Sequence, residues 1–229
     1  MASDKKQKKV KENKLKILIV DDHPVVREGL TTIINHEKDL IVCGYADDNH
    51  QALKAIAELN PDVVIVDISL KNSDGIELTK NIKLRHPKLL VIVLSVHDES
   101  VYAERALRAG ARAYLMKEVV SENITNAIRT VLKGEMYVSD TISKKFLQKI
   151  AGDKADTTKT SIEKLSDREF EIFRLIGEGY KASQIAKKLH LSVKTVETYR
   201  GRLKEKLNLD SAAELLQYAI KWTKSEDRK

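Results

Sequence analysis

Apolar residues between positions 16 and 134 follow two alternating periods. Short runs that are apolar on both faces recur at KILIV (16–20), LIVCGY (40–45), VVIV (63–66), LLVIVL (89–94) and AYL (113–115). Runs of this length, rich in β-branched residues, predict parallel strands buried on both sides. Helical stripes lie between them. Val25, Val26, Leu30, Ile33 and Ile34 share one face, Leu53, Ile56 and Leu59 a second, and Ile76, Leu78 and Ile82 a third. Segments 99–109 and 121–133 supply two more, the last with Ile124, Ile128, Val131 and Leu132. Pro24 suits a first helical turn, and Pro61 and Pro87 fall where helices have ended. Five β/α repeats predict an open parallel sheet with helices on both faces.

The pattern changes after residue 135. Residues 140–150 predict one further helix, and AGDKADTTKTS (151–161) has almost no apolar content and reads as a linker. From residue 162 the periodicity is all-helical. Ser166 and Glu169 form a capping-box pattern before Phe170, Phe173, Leu175 and Ile176, and GEGY (177–180) ends that helix. A short helix follows to about Leu189, then a longer one from Val193 to Leu207. Asn208 suits a left-handed helix end. Ser211 and Glu214 open a last helix carrying Leu215, Leu216, Ala219 and Ile220. The expected organisation is a disordered basic tail (1–14), an α/β domain (15–135), a helix and linker (136–161) and a helical domain (162–224).

Charge sharpens this division. The net +7 is concentrated at the ends: residues 1–14 carry +4, residues 15–150 carry −1 and residues 161–229 carry +4. A basic helical domain suits nucleic acid, although a solvated lysine-rich surface is as common. The single cysteine, Cys43, rules out an internal disulfide and reads as a small core residue. No stretch approaches ~18 consecutive apolar residues, and the lysine-rich N-terminus lacks an apolar signal core. These features point to a soluble cytoplasmic protein with no membrane partner.

Ligands of open α/β sheets bind beyond the carboxyl ends of the strands. The first strand ends in Asp21 and Asp22, the third in Asp67, the fourth in Ser95, and the fifth is followed by Met116 and Lys117. Three close carboxylates drive one pKa upward unless a cation joins them, and hard oxygen donors point to Mg²⁺. A metal, a lysine and a hydroxyl around a carboxylate suit phosphoryl transfer to that carboxylate. His23 suggests a third ligand, but its place before Pro24 favours a surface histidine at a helix start. His86 and His97 have no partner at ligand spacing and read as surface.

The segments VDDHPVVREGL, DVVIVDISLKNSDGIEL, VIVLSVHDE and GARAYLMKE resemble the receiver domain of bacterial two-component response regulators. LSDREFEIFRLIGEGYKASQIAKKLHLSVKTVETYRGRLKEKLNL resembles the LuxR-type helix-turn-helix. Together, over about residues 15–222, they resemble a full-length NarL/FixJ-family regulator. The resemblance implies a five-stranded parallel (βα)5 flavodoxin-like receiver, strand order 2-1-3-4-5, linked to a four-helix helix-turn-helix domain. It implies Asp67 as phosphoacceptor, with Asp21 and Asp22 binding Mg²⁺ and the Ser69 backbone carbonyl as a further ligand. Ser95 and Tyr114 correspond to switch residues and Lys117 to the lysine that contacts the phosphoryl group. It implies three partners: a sensor histidine kinase as donor, double-stranded promoter DNA, and a second copy when phosphorylated. Glu118 stands where many receivers have a proline preceded by a cis bond; without proline that bond costs roughly 2.5–4 kcal/mol, which leaves the loop geometry open.

Phasing residues 193–207 at ~100° per residue puts Val193, Val196, Leu203 and Leu207 on a core face. Lys194, Thr198, Gly201, Arg202 and Glu205 lie opposite, with Thr195 at the edge. Short, basic and glycine residues there suit insertion in a major groove. Tyr199 and Lys206 flank this face for phosphate contact, and Lys181 and Gln184 open the preceding helix, whose N-terminus favours a phosphate. Lys181-Ala182 replaces the family's usual Ser-Asn. Glu197 and Glu205 either accept from cytosine or face solvent, the second being favoured. Leu215, Leu216 and Ala219 are the expected dimer surface. The rival class is a metal-dependent phosphohydrolase using Asp-Asp-His, which calls for further His and Asp ligands at later strand ends. A regulator working without phosphorylation is a third reading, against which the complete acidic pocket argues.

Overall fold

The computed structural model describes residues 14–70, 73–97, 99–150, 161–189 and 191–226. The expected disordered tail, apart from Lys14, and most of the expected linker lie outside the described residues.

Five parallel strands form one sheet: β1 (Leu15–Val20), β2 (Leu40–Ala46), β3 (Val63–Asp67), β4 (Leu90–Ser95) and β5 (Ala113–Met116). Their order is β2-β1-β3-β4-β5, the order of a flavodoxin-like sheet. Side chains alternate between faces, so each strand feeds two cores. Leu18, Val20, Val64 and Val66 pack on one side, and Ile17, Ile19, Val63 and Ile65 on the other. Each such side chain contributes roughly 1.5–3 kcal/mol on full burial, which explains why the strands read as continuous apolar runs.

Helices α1 (Pro24–His36), α2 (Asn49–Leu59), α3 (Gly75–Arg85) and α4 (Glu99–Arg108) connect the strands, and α5 (Val120–Leu132) follows the last of them. Asp48 caps α2 by accepting from the Gln51 amide, and Asp74 caps α3 by accepting from Ile76 and Glu77. The first predicted stripe is narrower than expected: Leu30 and Ile34 are buried, but Val25, in the first turn of α1, is 80% exposed. Cys43 is half-buried rather than core, on edge strand β2. A short antiparallel ribbon, Ser69–Leu70 with Ser73–Asp74, follows β3 and had no sequence signal. Tyr137 adds a single parallel bridge beside Ala113 at the β5 edge. There is no cis peptide bond among the described residues, Lys117-Glu118 included.

Beyond the sheet come α6 (Asp140–Ile150), α7 (Asp167–Gly177), α8 (Ala182–Lys188), α9 (Val193–Leu207) and α10 (Ala212–Glu226). The Ser166/Glu169 capping box forms as expected, and Asn208 ends α9 at φ 55°. On α9, Val196, Leu203 and Leu207 are buried, but Val193, the first helical residue, is 48% exposed, so the core face begins one turn later than expected. Leu215 and Ala219 are fully buried within the helical domain; only Leu216 of the expected dimer trio is exposed. α10 turns that stripe onto α7, where Phe173 meets Tyr218 and Trp222.

The two halves are docked. Arg105 of α4, its side chain 9% exposed, donates to the backbone carbonyls of Leu165 (2.9 Å) and Ile162 (3.0 Å) and to the Asp167 carboxylate (2.9 Å). Its guanidinium lies 4.3 Å from the centre of the Phe170 ring. Lys80 of α3 donates to the other Asp167 oxygen at 2.6 Å. Burial opposes ionisation of Asp167, but the hydrogen bonds from Lys80 and Arg105 hold its pKa below the ordinary value. A cleft of about 350 Å³ between α3, α4 and the start of α7 borders these pairs.

Candidate functional site

The parallel sheet aims three strand ends at one rim, and the acids there become neighbours through backbone register alone. β1 pairs β3 from Ile17/Val63 to Val20/Val66, so Asp21 and Asp67 follow side by side. Both are 1% exposed. Lys117, directly after β5, donates to Asp21 Oδ2 at 2.7 Å and to Asp67 Oδ2 at 2.9 Å. Burial raises the Asp67 pKa most; Lys117 opposes that rise and Asp21 adds to it. Burial works against charged Lys117, yet the two carboxylates raise its pKa overall. The other Asp67 oxygen accepts from the Ser69 amide at 3.2 Å. Arg27 of α1 anchors this corner by donating to the Asp21 carbonyl at 2.7 Å.

Asp22 and His23 complete the group. Asp22 Oδ1 is buried and receives no hydrogen bond. Asp21, Asp22, His23 and Asp67 each offer one donor atom, all within 4.8 Å of one another. An orphaned, buried carboxylate oxygen among hard donors fits a divalent cation.

Gly75 makes this approach possible, and its role had no signal beyond the DG dipeptide. A Cβ there would stand 2.1 Å from the Asp67 carbonyl oxygen and 2.8 Å from the Ile68 Cα. The start of α3 therefore lies against the backbone of the candidate acceptor.

Ser95 is fully buried at the end of β4, and its hydroxyl accepts from the His97 amide at 2.8 Å. Tyr114 is buried and turned inward, its hydroxyl donating to the His97 carbonyl at 2.9 Å. His97 is thus not the surface residue its spacing suggested. Its Nε2 lies 2.7 Å from the Ser69 hydroxyl, and its ring stacks on Tyr102 at 4.7 Å. Burial, with Arg174 and Lys117 nearby, pushes its pKa down to about 4, so it is neutral at physiological pH. Tyr102 meets Phe170 edge-on at 5.1 Å, and Phe170 meets Trp222 of α10 at 5.4 Å. One chain of contacts thus runs from the acidic rim to the last helix.

On α9 the residues opposite the core are open to solvent: Lys194, Thr198 and Arg202 are exposed and Thr195 is half-buried at the edge. The Ser192 hydroxyl caps the helix by accepting from the Thr195 amide at 3.0 Å. Tyr199 is half-buried, with Arg202 5.7 Å over its ring. Nothing lies within 4 Å of a Cβ built on Gly201. Glu197 is paired with Arg200 at 2.9 Å on the exposed surface, in keeping with the solvent-facing reading. Lys206 turns back to Glu169 at 2.7 Å. In place of the missing side-chain cap on α8, the Gln184 side chain accepts from the Lys181 amide at 2.9 Å.

An acidic rim on a doubly wound sheet, coupled to an open helix-turn-helix face, defines a response regulator that binds DNA. Residues 17–129 match the family described as "Response regulator receiver domain", and residues 163–219 the family described as "Bacterial regulatory proteins, luxR family". The "Oxygen regulatory protein NreC" of Staphylococcus aureus (strain MRSA252) is 38% identical over 211 residues, covering 90% of this chain and 97% of that protein. The Staphylococcus carnosus (strain TM300) NreC is 36% identical with the same coverage. Among solved structures, Salmonella typhimurium RcsB superposes with a TM-score of 0.70 at 28% identity, over 91% of this chain and 98% of that one. RcsB from Salmonella enterica serovar Typhimurium bound to promoter rprA in the presence of phosphomimetic BeF3⁻ gives 0.68 at 27%, over 91% and 99%. The chain belongs to the NarL/FixJ-type response regulators, a family of transcription regulators.

Proposed function

We propose that this chain is a cytoplasmic, phosphorylation-switched transcription regulator whose acceptor is Asp67 and whose donor is a sensor histidine kinase. The observation that carries the reading is the Asp21–Lys117–Asp67 arrangement, with the orphaned Asp22 oxygen beside it. An Asp67 carboxylate oxygen attacks the donor's phosphorus; the P–N bond to the kinase histidine breaks, and that histidine keeps the electron pair. Lys117, 2.9 Å from the Asp67 carboxylate, is placed to follow the charge onto a phosphoryl oxygen. Asp21, Asp22, Asp67 and the Ser69 carbonyl would hold Mg²⁺, which when bound supplies charge neutralisation at the phosphoryl oxygens.

Ser95 and Tyr114 read the new charge. The Ser95 hydroxyl now accepts from the His97 amide; drawn toward a phosphoryl oxygen it pulls on His97, which Tyr114 and Ser69 also hold. His97 stacks on Tyr102, and Tyr102 abuts Phe170, so the docking of α4 on α7 is the two-state element the acceptor biases. Docking leaves the α9 reading face exposed. The switch therefore acts on how two copies are arranged over two half-sites rather than by covering that face. RcsB, described as "two RcsB dimers bound to two parallel DNAs", supports a dimeric DNA-bound form.

In the reading face, Lys194, Thr195, Thr198 and Arg202 approach base edges, while Lys181, Gln184 and Tyr199 approach phosphates. Lys206, held by Glu169, is assigned to the fold instead. Binding measured across salt concentrations tests this part: a flat response contradicts the phosphate contacts. Incubation with acetyl phosphate and Mg²⁺ tests the acceptor; labelling of Asp67→Ala contradicts it. The hydrolase reading draws no support, since Asp21, Asp22, His23 and Asp67 are the one such group among the described residues.

A further inference from the structure

We propose that His23 is a metal-selectivity residue of the acidic rim, its imidazole Nδ1 supplying a nitrogen donor that favours first-row transition cations such as Co²⁺ over Mg²⁺. The proposal rests on the reading of Asp21, Asp22 and Asp67 as a divalent-cation pocket. His23 immediately precedes α1, and its ring, 60% exposed, does not cap that helix. The ring turns toward the acids instead. Nδ1 lies 3.0 Å from Asp21 Oδ1, 3.0 Å from Asp22 Oδ1 and 4.0 Å from Asp67 Oδ2. Donors in adjacent positions around a cation at about 2.1 Å stand about 3.0 Å apart, so two of these three separations suit ligands of one ion.

The hydrogen bonding favours the same reading. A ring N–H directed at Asp21 Oδ1 accounts for one short contact. Asp21 Oδ1 already accepts from the His23 amide at 2.8 Å, however, and Asp22 Oδ1 accepts nothing although Nδ1 is just 3.0 Å away. Two lone-pair atoms at that separation are reconciled by a cation between them. Lys117 occupies Asp21 Oδ2 and Asp67 Oδ2, which leaves Asp22 Oδ1, without a hydrogen bond, beside Nδ1, with Asp21 Oδ1, which also accepts from the His23 amide, as the next nearest donor. An imidazole among carboxylates shifts preference from Mg²⁺, which takes oxygen, toward Co²⁺, Ni²⁺ and Zn²⁺. Those ions bind most sites tighter than Mg²⁺, so the diagnostic quantity is the increment that depends on His23.

Calorimetric titration of the full chain and of His23→Ala with MgCl₂ and CoCl₂ reads that increment. The expected result is a loss of about tenfold or more in Co²⁺ affinity, with Mg²⁺ affinity changed less than about threefold. Electron spin echo modulation of Mn²⁺-loaded wild-type protein is expected to show ¹⁴N coupling from a directly bound imidazole, absent in His23→Ala. Equal losses for both cations, or Mn²⁺ bound with no nitrogen coupling, would overturn the proposal while leaving the pocket standing. Failure of the wild-type chain to bind Mg²⁺ at all would overturn the pocket reading and this proposal together.

Discussion

Replacing Arg105 by alanine isolates the link between the two domains. In the docked arrangement Arg105 satisfies the carbonyls of Leu165 and Ile162, pairs with Asp167 and covers the Phe170 ring. Truncation leaves two carbonyls without their donor, roughly 1–3 kcal/mol each if they stay buried. It also removes a cation–π contact worth about 0.5–1 kcal/mol or more. Near the lower end the docked form loses about 3 kcal/mol relative to the undocked one, and at 1.4 kcal/mol per decade that is about a 100-fold change in their ratio. The Asp167–Lys80 pair survives, and as a partly exposed pair it restores little. One core cluster continues across the docking face through Tyr102 and Phe170, but the second sheet core lies wholly within the α/β domain and Phe173, Tyr218 and Trp222 pack within the helical one, so the variant is expected to remain folded. Small-angle scattering should show a larger radius of gyration for unphosphorylated Arg105→Ala than for wild type. The ratio of DNA affinities with and without acetyl phosphate should fall toward one, because the acceptor no longer has docking to bias. An unchanged radius together with an unchanged affinity ratio would refute the coupling.

Gly75→Ala is expected to cost about 1–3 kcal/mol in chemical denaturation, as overpacked sites do, and to abolish labelling by acetyl phosphate, since the added carbon meets the Asp67 carbonyl; full labelling would show that α3 yields easily. Gly201→Ala, with open space around its Cβ, should stabilise the chain by about 1 kcal/mol and raise Tm, while weakening DNA binding where the groove wall approaches; tighter DNA binding would contradict the orientation of α9. Lys206→Ala should destabilise the helical domain by stripping the buried Glu169 of its cation, yet leave the slope of log K against log salt unchanged; a slope smaller by about one would make Lys206 a phosphate contact.

The strands and their ends were legible because a buried parallel strand has no choice but apolar residues, so an acid at its end stands out. Asp21, Asp22 and Asp67 follow from that contrast, and Lys117 from its place after β5. Local caps such as Ser166/Glu169 were legible because both partners lie within one turn. What escaped was set by which surface covers which. A stripe on α10 marks an apolar face without naming its partner, so Leu215 and Ala219 read as a dimer surface while they pack inside the domain. Arg105 and Asp167 are 62 positions apart, and each alone reads as an ordinary surface charge. His97 carries no ligand spacing because its partners, Ser69 and Tyr102, come from different elements. Gly75 is needed by a backbone–backbone approach, which leaves no chemical mark on the neighbours.

The central claim is that Asp67 accepts the phosphoryl group and that its modification changes DNA binding. Intact-mass spectrometry after incubation with acetyl phosphate and Mg²⁺, run beside DNA binding on the same samples, tests it directly. The account predicts one phosphoryl group on the wild-type chain, none on Asp67→Ala, and a shift in DNA affinity that follows the modified fraction. Phosphorylation of Asp67→Ala to the wild-type extent, or full modification with DNA affinity unmoved, would contradict it.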